Sequence, residues 1–403
     1  MNVSAMPSSE VDVVHVIPYM HPSGGGPPVV VDRLCRGLAR SGWNNRVVTT
    51  DTMARGLPQD WKAQYCDGYD LAVFASQGPG NYAYSGQLAA KIDAIVAQSR
   101  VVHVHTLWSY LGWTAMRACR RQDVPFIVMP HGMLDPNSLG RKWLKKQLYG
   151  RFVEWPQVRA AAAMLYTHAE EQRLAERSVR KLPAGFIVPL GADPPPELPR
   201  EQLAKQFFHR FPDMCGRKLV LFLSRLHPKK GLDLLIPAFR AVAASQRNAH
   251  LVVVGPGDDE YVASLRRLVD SEGLADRATF TGPLLGQAKW EAFSAATVFV
   301  LPSYQENFAI VVAEAMRMGL PVVLSRRVNI WSDVVEAGAG RTCDLTADSV
   351  ARAITHYLDN PSAVEQAGRQ GQQLAAERFN WDRTAAAVAE IYRHVLSGKK
   401  VVA

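Results

Sequence analysis

The chain has 403 residues, 48% hydrophobic and 21% charged, a composition of packed globular domains that excludes extended disorder. At roughly 100–200 residues per domain, the length predicts two domains. A net charge of +9 admits nucleic acid, an anionic membrane face or phosphorylated small molecules as partners and selects none of them.

No run of 18 apolar residues occurs, so no membrane span is expected. The opening "MNVSAMPSSEVDVVHVIPYM" lacks a basic segment followed by an apolar core, and no signal peptide is expected. Cys35, Cys66, Cys119, Cys215 and Cys343 are odd in number and widely spread, without a CxxC or a Cys/His ligand spacing. Reduced thiols and a cytoplasmic, soluble or peripheral protein follow as expectations.

Short apolar runs of the buried-strand kind alternate with helical stretches, the pattern of parallel α/β sheets. In the first half, strands are predicted over 11–19, 45–51, 71–76, 101–107, 125–132 and 162–168, separated by helical patterns such as 29–42. The first strand leads into "HPSGGGPPVVVDRL", where Gly24, Gly25 and Gly26 let backbone N–H groups approach an anion at a helix start. The same glycines read equally well as a flexible loop, and neither GxGxxG nor GxxxxGK[ST] is present. The alternating pair in "HVH" (103–105) could ligate a metal on one strand face. No third ligand lies near it in the chain, so two strand-end histidines are the better account. His131, in "PHG", closes the next strand, where a histidine more often serves structure than chemistry.

The segment "LGRKWLKKQLYGRFVEW" (139–155) sets Arg141, Lys142, Lys145, Lys146 and Arg151 against one acid, Glu154. Trp143, Leu144, Leu148, Tyr149 and Phe152 lie between them. It reads either as an ordinary helix covering a sheet or as a basic amphipathic helix for an anionic bilayer.

A proline-rich break at 189–201 excludes helix or central strand and marks a domain linker. Domains are therefore expected at 1–195 and 196–380, with the terminal helix 381–403 joining the first. Strands resume over 218–226, 249–257, 278–283, 298–303 and 321–325. Two doubly wound domains bind ligands at the carboxyl ends of their strands, which makes an interdomain cleft the default site.

"SRLHPKKGLDLL" ends a strand with Arg225 and places Lys230 before Gly231 and a helix, a pair of cations suited to a diphosphate. "LPSYQENFAIVVAEAMRMGLPVVLS" then runs strand, loop, helix, strand. With Asn307 as N-cap, the amides of Phe308, Ala309 and Ile310 would be left for a phosphate. Glu306 would stand in the loop and Glu314 about two turns inside the helix. Two acids on either side of an anion site suit the two ends of a sugar–diphosphate–nucleoside, whereas a bland reading makes both solvated surface acids.

In their order and spacing, the glycine-rich loop, "PHG", "SRLHPKKG" and "ENFAIVVAEAM" resemble the retaining GT-B glycosyltransferases of family 4 (glycosyl transferases group 1) across nearly the whole chain. The resemblance implies two Rossmann-like domains facing across a cleft, an N-terminal acceptor domain and a C-terminal nucleotide-sugar domain. By the same resemblance, Arg225 and Lys230 hold the donor diphosphate, helped by the amides at 308–310. Glu306 faces the transferred sugar, Glu314 the ribose, and His131 the donor sugar near the reacting carbon. Gly24 to Gly26 lie by the phosphates and the acceptor, and the nucleobase near Leu284. The family usually has glycine where this chain has Ala309, and its Cβ is expected to be tolerated in a helical conformation.

The reaction so implied moves a hexose-type sugar from a UDP- or GDP-type donor to a glycan or lipid-linked acceptor, with retention and no cofactor. No D-x-D triplet occurs, so side chains rather than a divalent metal are expected to neutralise the diphosphate. A nucleotide-sugar epimerase or sugar phosphorylase on a similar scaffold is the alternative. A nucleic-acid-binding protein ranks below both, because the basic residues form no stripe interleaved with exposed aromatics.

Overall fold

The computed structural model describes residues 11–21, 24–55, 61–62, 65, 67–77, 82–140 and 143–398. The chain divides into two compact units, Met1–Pro189 with Trp381–Ala403, and Leu190–Asn380. The division falls at Pro189, so the prolines 194–196 belong to the second unit rather than to its border.

The first unit holds seven strands: β1 (Val11–Tyr19), β2 (Asn45–Thr50), β3 (Asp70–Phe74), β4 (Ser99–His105), β5 (Phe126–Met129), β6 (Ala163–Tyr166) and β7 (Gly185–Ile187). They form one parallel sheet in the order β3-β2-β1-β4-β5-β6-β7. Helices cover both faces, so the central strands are largely apolar: Val13, Val14, Val16 and Ile17 of β1 are all fully buried.

The helix Gly26–Arg40 begins with Pro27 and Pro28 in its first turn and buries Val31, Leu34, Cys35 and Leu38. Gly37 on this helix lets the terminal helix Trp381–Leu396 come close; a Cβ there would meet the Ala385 Cβ at 2.6 Å. Arg40 pairs with Asp382 at 2.5 Å and the Thr384 hydroxyl donates to the Pro189 carbonyl at 2.7 Å. The terminal helix thus packs on the first unit.

The second unit holds β8 (Lys218–Leu223), β9 (Ala249–Val254), β10 (Ala278–Gly282), β11 (Val298–Leu301), β12 (Val322–Ser325) and β13 (Gly340–Cys343). They form a parallel sheet in the order β10-β9-β8-β11-β12-β13. Strands β7 and β13 were not expected. "GFI" and "GRTC" are short edge segments without an apolar run, the feature by which buried strands are recognised.

Strand order reverses between β1 and β4 in the first sheet and between β8 and β11 in the second. Loops leaving such strands part to opposite sides and open a crevice at their carboxyl ends. Each unit therefore presents one such crevice. Among the described residues, no helix is long and apolar enough to cross a membrane.

Candidate active site

In the second unit the loops after β8 and β11 are tied together at the reversal point. The Tyr304 N–H donates to the Lys229 carbonyl at 2.8 Å, and Lys229 Nζ donates to Gln305 Oε1 at 2.9 Å. The Tyr304 hydroxyl reaches Asp233 at 2.7 Å. Gly231, at φ 75°, is required here, because a Cβ would sit 2.1 Å from the Pro302 carbonyl oxygen. This close approach brings Lys230 against Glu306, and the two form an ion pair. Arg225 stands exposed at the end of β8 and enters no ion pair among the described residues. Leu284 is half-buried in the loop between β10 and the helix Gln287–Ala295.

Glu306 is clamped by its backbone. Its N–H donates to the Arg327 carbonyl at 3.0 Å and its carbonyl accepts from Asn329 N–H at 3.2 Å. Glu314 is buried, at 6% exposure, and pairs with Lys289 at 2.6 Å. The solvated-surface reading of Glu314 is therefore wrong, and Lys289 joins the site. No spacing pointed to that lysine, since it lies 25 residues before its partner on another helix.

The helix start differs from expectation. The helix is Ile310–Arg317, its N-cap is Ala309, and no side chain caps it. Asn307 instead accepts from Asn329 Nδ2 at 3.2 Å, while Phe308 is buried edge-on against Phe379 with centroids 5.2 Å apart. Ala309 has φ 61° and ψ 70°, the left-handed region, so the helix cannot extend back through it. The first-turn amides are those of Ile310 and Val311, and Val312 N–H already returns to the Ala309 carbonyl at 2.8 Å. Ala309 is thus not helical, and a position that suits glycine carries a Cβ at a cost of about 1 kcal/mol.

In the first unit, Gly25 (φ 85°, ψ −138°) is the turn into Gly26–Arg40, and Gly26 has open space where a Cβ would be. A Cβ on Gly24 would strike the Tyr19 ring at 2.5 Å. His131 follows β5 with φ 51° and is followed by Gly132 at φ 76°. Glu171 secures this turn: it accepts from Gly132 N–H at 2.6 Å, Thr167 N–H at 2.7 Å and the Thr167 hydroxyl at 2.8 Å.

Behind His131 lie three buried histidines. The β1–β4 register sets His15 beside His103, and His105 is two residues further along the same strand face. A third histidine does therefore stand beside the "HVH" pair; the ligand atoms of His15, His103 and His105 lie within 4.8 Å of one another. Burial holds His15 down to about 3 and His103 and His105 well below the usual histidine range. Desolvation lowers His131 as well.

Two parallel Rossmann-like sheets, each with a glycine-dependent turn and candidate binding groups at its reversal point, define a GT-B glycosyltransferase fold. The family model of the glycosyl transferases group 1 matches residues 206–374 and that of the glycosyl transferase 4-like domain matches residues 25–193, and the chain belongs to this glycosyltransferase family. A D-inositol 3-phosphate glycosyltransferase of Kineococcus radiotolerans is 28% identical over 96% of this chain and 95% of its own. A GDP-mannose-dependent alpha-(1-6)-phosphatidylinositol monomannoside mannosyltransferase of Mycobacterium tuberculosis is 31% identical over 44% of this chain and 48% of its own. Among solved structures, Anabaena HepE, crystallised with UDP and glucose, superposes with a TM-score of 0.75 at 18% identity, covering 95% of this chain and 99% of that one. WaaG, a glycosyltransferase involved in lipopolysaccharide biosynthesis, gives 0.72 at 15% identity over 96% and 100%. At such identities these two speak for the fold.

Proposed function

We propose that the protein transfers a hexose-type sugar, with retention of anomeric configuration, from a UDP- or GDP-type donor to a hydroxyl of a glycan or lipid-linked acceptor. The observation that carries this reading is the pair of lysine–glutamate contacts, Lys230–Glu306 and Lys289–Glu314, flanking an uncapped helix start at the reversal point of the second sheet. An arriving diphosphate competes with Glu306 for Lys230 and adds Arg225 and the Ile310 and Val311 amides. Glu306, released from Lys230, turns to hydroxyls of the transferred sugar. Glu314 accepts from the ribose hydroxyls, and the base lies near Leu284. In the first unit, His131 serves the transferred sugar, and Gly24 to Gly26 serve the phosphates and the acceptor.

The bond from the anomeric carbon to the diphosphate oxygen breaks as the acceptor oxygen bonds to the same face. The acceptor proton passes to the leaving phosphate. The protein's share is alignment and stabilisation of the charge gathering on the diphosphate. Arg225 and Lys230 supply the neutralising positive charge from side chains, in keeping with a sequence that has no D-x-D triplet. Purified protein mixed with UDP- or GDP-hexose and a lipid-linked saccharide is expected to release nucleoside diphosphate and form an axial or equatorial linkage matching the donor. Excess chelator is expected to leave the rate unchanged. Abolition by chelator and restoration by magnesium or manganese overturns the side-chain account, and an inverted linkage overturns retention.

We place the acceptor at an anionic membrane, on the cytoplasmic side. Trp143, Leu144, Leu148 and Phe152 are 56–70% exposed along the helix Trp143–Tyr149 and its π-helical continuation Gly150–Glu154. Lys145 and Arg151 are exposed beside them, while Arg141 and Lys142 lie outside the described residues. An apolar stripe with basic flanks suits the headgroup boundary of an anionic bilayer. Co-sedimentation is expected with phosphatidylglycerol vesicles and not with phosphatidylcholine ones; equal recovery from both removes the membrane from the account.

A further inference from the structure

The helices that follow β3 and β4, Gly86–Ala97 and Tyr110–Gln122, begin close together on the carboxyl side of the first sheet. Ser85 and Ser109 cap them, accepting from Leu88 N–H and Gly112 N–H. The caps fix their chain neighbours Tyr84 and Tyr110, whose rings meet edge to face with centroids 4.7 Å apart. Tyr82 packs on Tyr110 at 5.9 Å and on Tyr149 at 6.2 Å, and the Tyr82 and Tyr149 hydroxyls lie 3.2 Å apart. Trp108 extends the row, 6.2 Å from Tyr149. Five rings from three stretches of chain thus form one aromatic cluster, on the side of a doubly wound sheet where ligands bind.

The backbone under this cluster is strained. Ala83, Thr106 and Trp108 have φ of 56°, 68° and 65°, a region that threonine and tryptophan rarely adopt. Glu154, buried in the π-helical turn, accepts from the Trp108 N–H at 3.1 Å and holds that conformation. Strain of this kind persists where the surroundings over-determine it, and it gathers at binding sites. Core packing does not account for the tyrosines. Tyr82 and Tyr84 are each 41% exposed, and the Tyr84 and Tyr110 hydroxyls have no hydrogen-bond partner among the described residues.

We propose that Tyr82, Tyr84, Tyr110 and Tyr149 form a platform that holds the sugars of the acceptor by stacking. The proposal rests on the reading of that acceptor as a lipid-linked saccharide. A hexose presents a face of weakly positive C–H bonds and a rim of hydroxyls. The first matches the negative face of an aromatic ring, and the second matches phenolic groups that both donate and accept. Rings already packed on one another lose little freedom when a ligand arrives. The adjoining surface points to the same occupant. Tyr149 ends the helix whose Trp143, Leu144 and Leu148 form the exposed apolar stripe, so a lipid held there brings its sugars to the tyrosines. An aromatic belt at the bilayer surface is the rival use of the same rings.

Saturation-transfer NMR of the full chain with maltohexaose, mannohexaose and chitohexaose, without nucleotide, tests the platform. Transfer to ring C–H protons of at least one oligosaccharide is expected, and its loss in the double variant Tyr82→Ala/Tyr84→Ala. Transfer to none of the three, or transfer undiminished in the variant, overturns the proposal. The parent spectra carry the test even if the variant fails to fold. With a lipid-linked saccharide as acceptor, the variant is expected to raise acceptor KM roughly tenfold, with kcat and nucleoside diphosphate affinity near the parent. An unchanged acceptor KM overturns the platform and leaves sugar transfer standing. Oligosaccharide binding without turnover of any donor overturns the enzymatic reading and leaves a saccharide site. Lost recovery with phosphatidylglycerol vesicles, beside undiminished saccharide binding, assigns the rings to the bilayer and overturns the proposal.

Discussion

Lys230→Ala is expected to weaken a nucleoside diphosphate by roughly ten- to hundredfold while leaving the free nucleoside near its parent affinity. Charge-assisted hydrogen bonds contribute about 1.5–3 kcal/mol each, which sets that range. A loss within the same range is expected for Arg225→Ala. The two cations differ in their resting state: Lys230 pairs with Glu306, whereas Arg225 enters no ion pair among the described residues. Lys230→Ala also leaves Glu306 without its cation beside an anionic ligand, so the lysine variant is expected to lose the more. Titration calorimetry with UDP, GDP, uridine and guanosine measures this. Equal losses for nucleoside and diphosphate place the cations away from the phosphates.

Acid is expected to destabilise the first unit well above the usual carboxylate range. His15, His103 and His105 refuse protons in the folded protein, while the unfolded chain accepts them below about 6.5. Stability from these groups is complete above that pH and is lost as pH falls through it. Between pH 7 and 5.5 each costs on the order of 1 kcal/mol. Glu154 acts with the opposite sign. Burial raises its carboxyl to about 7, so the folded protein takes up a proton over this range and regains an amount of the same order. Three histidines, with His131 lowered by the same desolvation, act against one carboxyl, so the net effect of acid is a loss of stability. Unfolding scans at pH 7.5 and 5.5 check the sign, and Glu154→Gln is expected to steepen the acid loss. A melting temperature that is flat or rises toward pH 5.5 contradicts the neutral buried cluster.

The central strands were legible because a parallel strand covered on both faces is rich in apolar residues on both of its faces. Val11–Tyr19 and Ala249–Val254 announce themselves in this way. The helix Gly26–Arg40 was legible over 29–42 from its helical pattern and the glycines before it. Partnerships across the fold were not. Lys230 finds Glu306 across 76 residues, and His15 finds His105 across 90. Two such residues become neighbours only once strand order and register are known, so proximity in the chain misjudged the "HVH" pair. The left-handed Ala309 was missed for a different reason. Alanine favours helix by propensity, and only the tertiary course of the loop, with Phe308 buried on Phe379 and Asn307 bound to Asn329, forces the other conformation.

The division of labour between Glu306 and Glu314 is the claim on which the donor site stands. Glu306 sits in a loop clamped to Arg327 and Asn329, while Glu314 lies within the following helix against Lys289. If they hold the sugar and the ribose respectively, glutamine at each has a distinct signature. Glu306→Gln cuts turnover heavily and leaves nucleoside diphosphate affinity unchanged or tighter, because that ligand carries no sugar and Lys230 is released. Glu314→Gln weakens the nucleoside diphosphate itself by on the order of 1–3 kcal/mol, since a charged acceptor of ribose hydroxyls becomes a neutral amide. Calorimetric titration of the two variants with UDP and GDP, alongside their melting temperatures, is the most direct measurement. The account predicts affinity lost in Glu314→Gln alone; affinity lost in Glu306→Gln and kept in Glu314→Gln contradicts it.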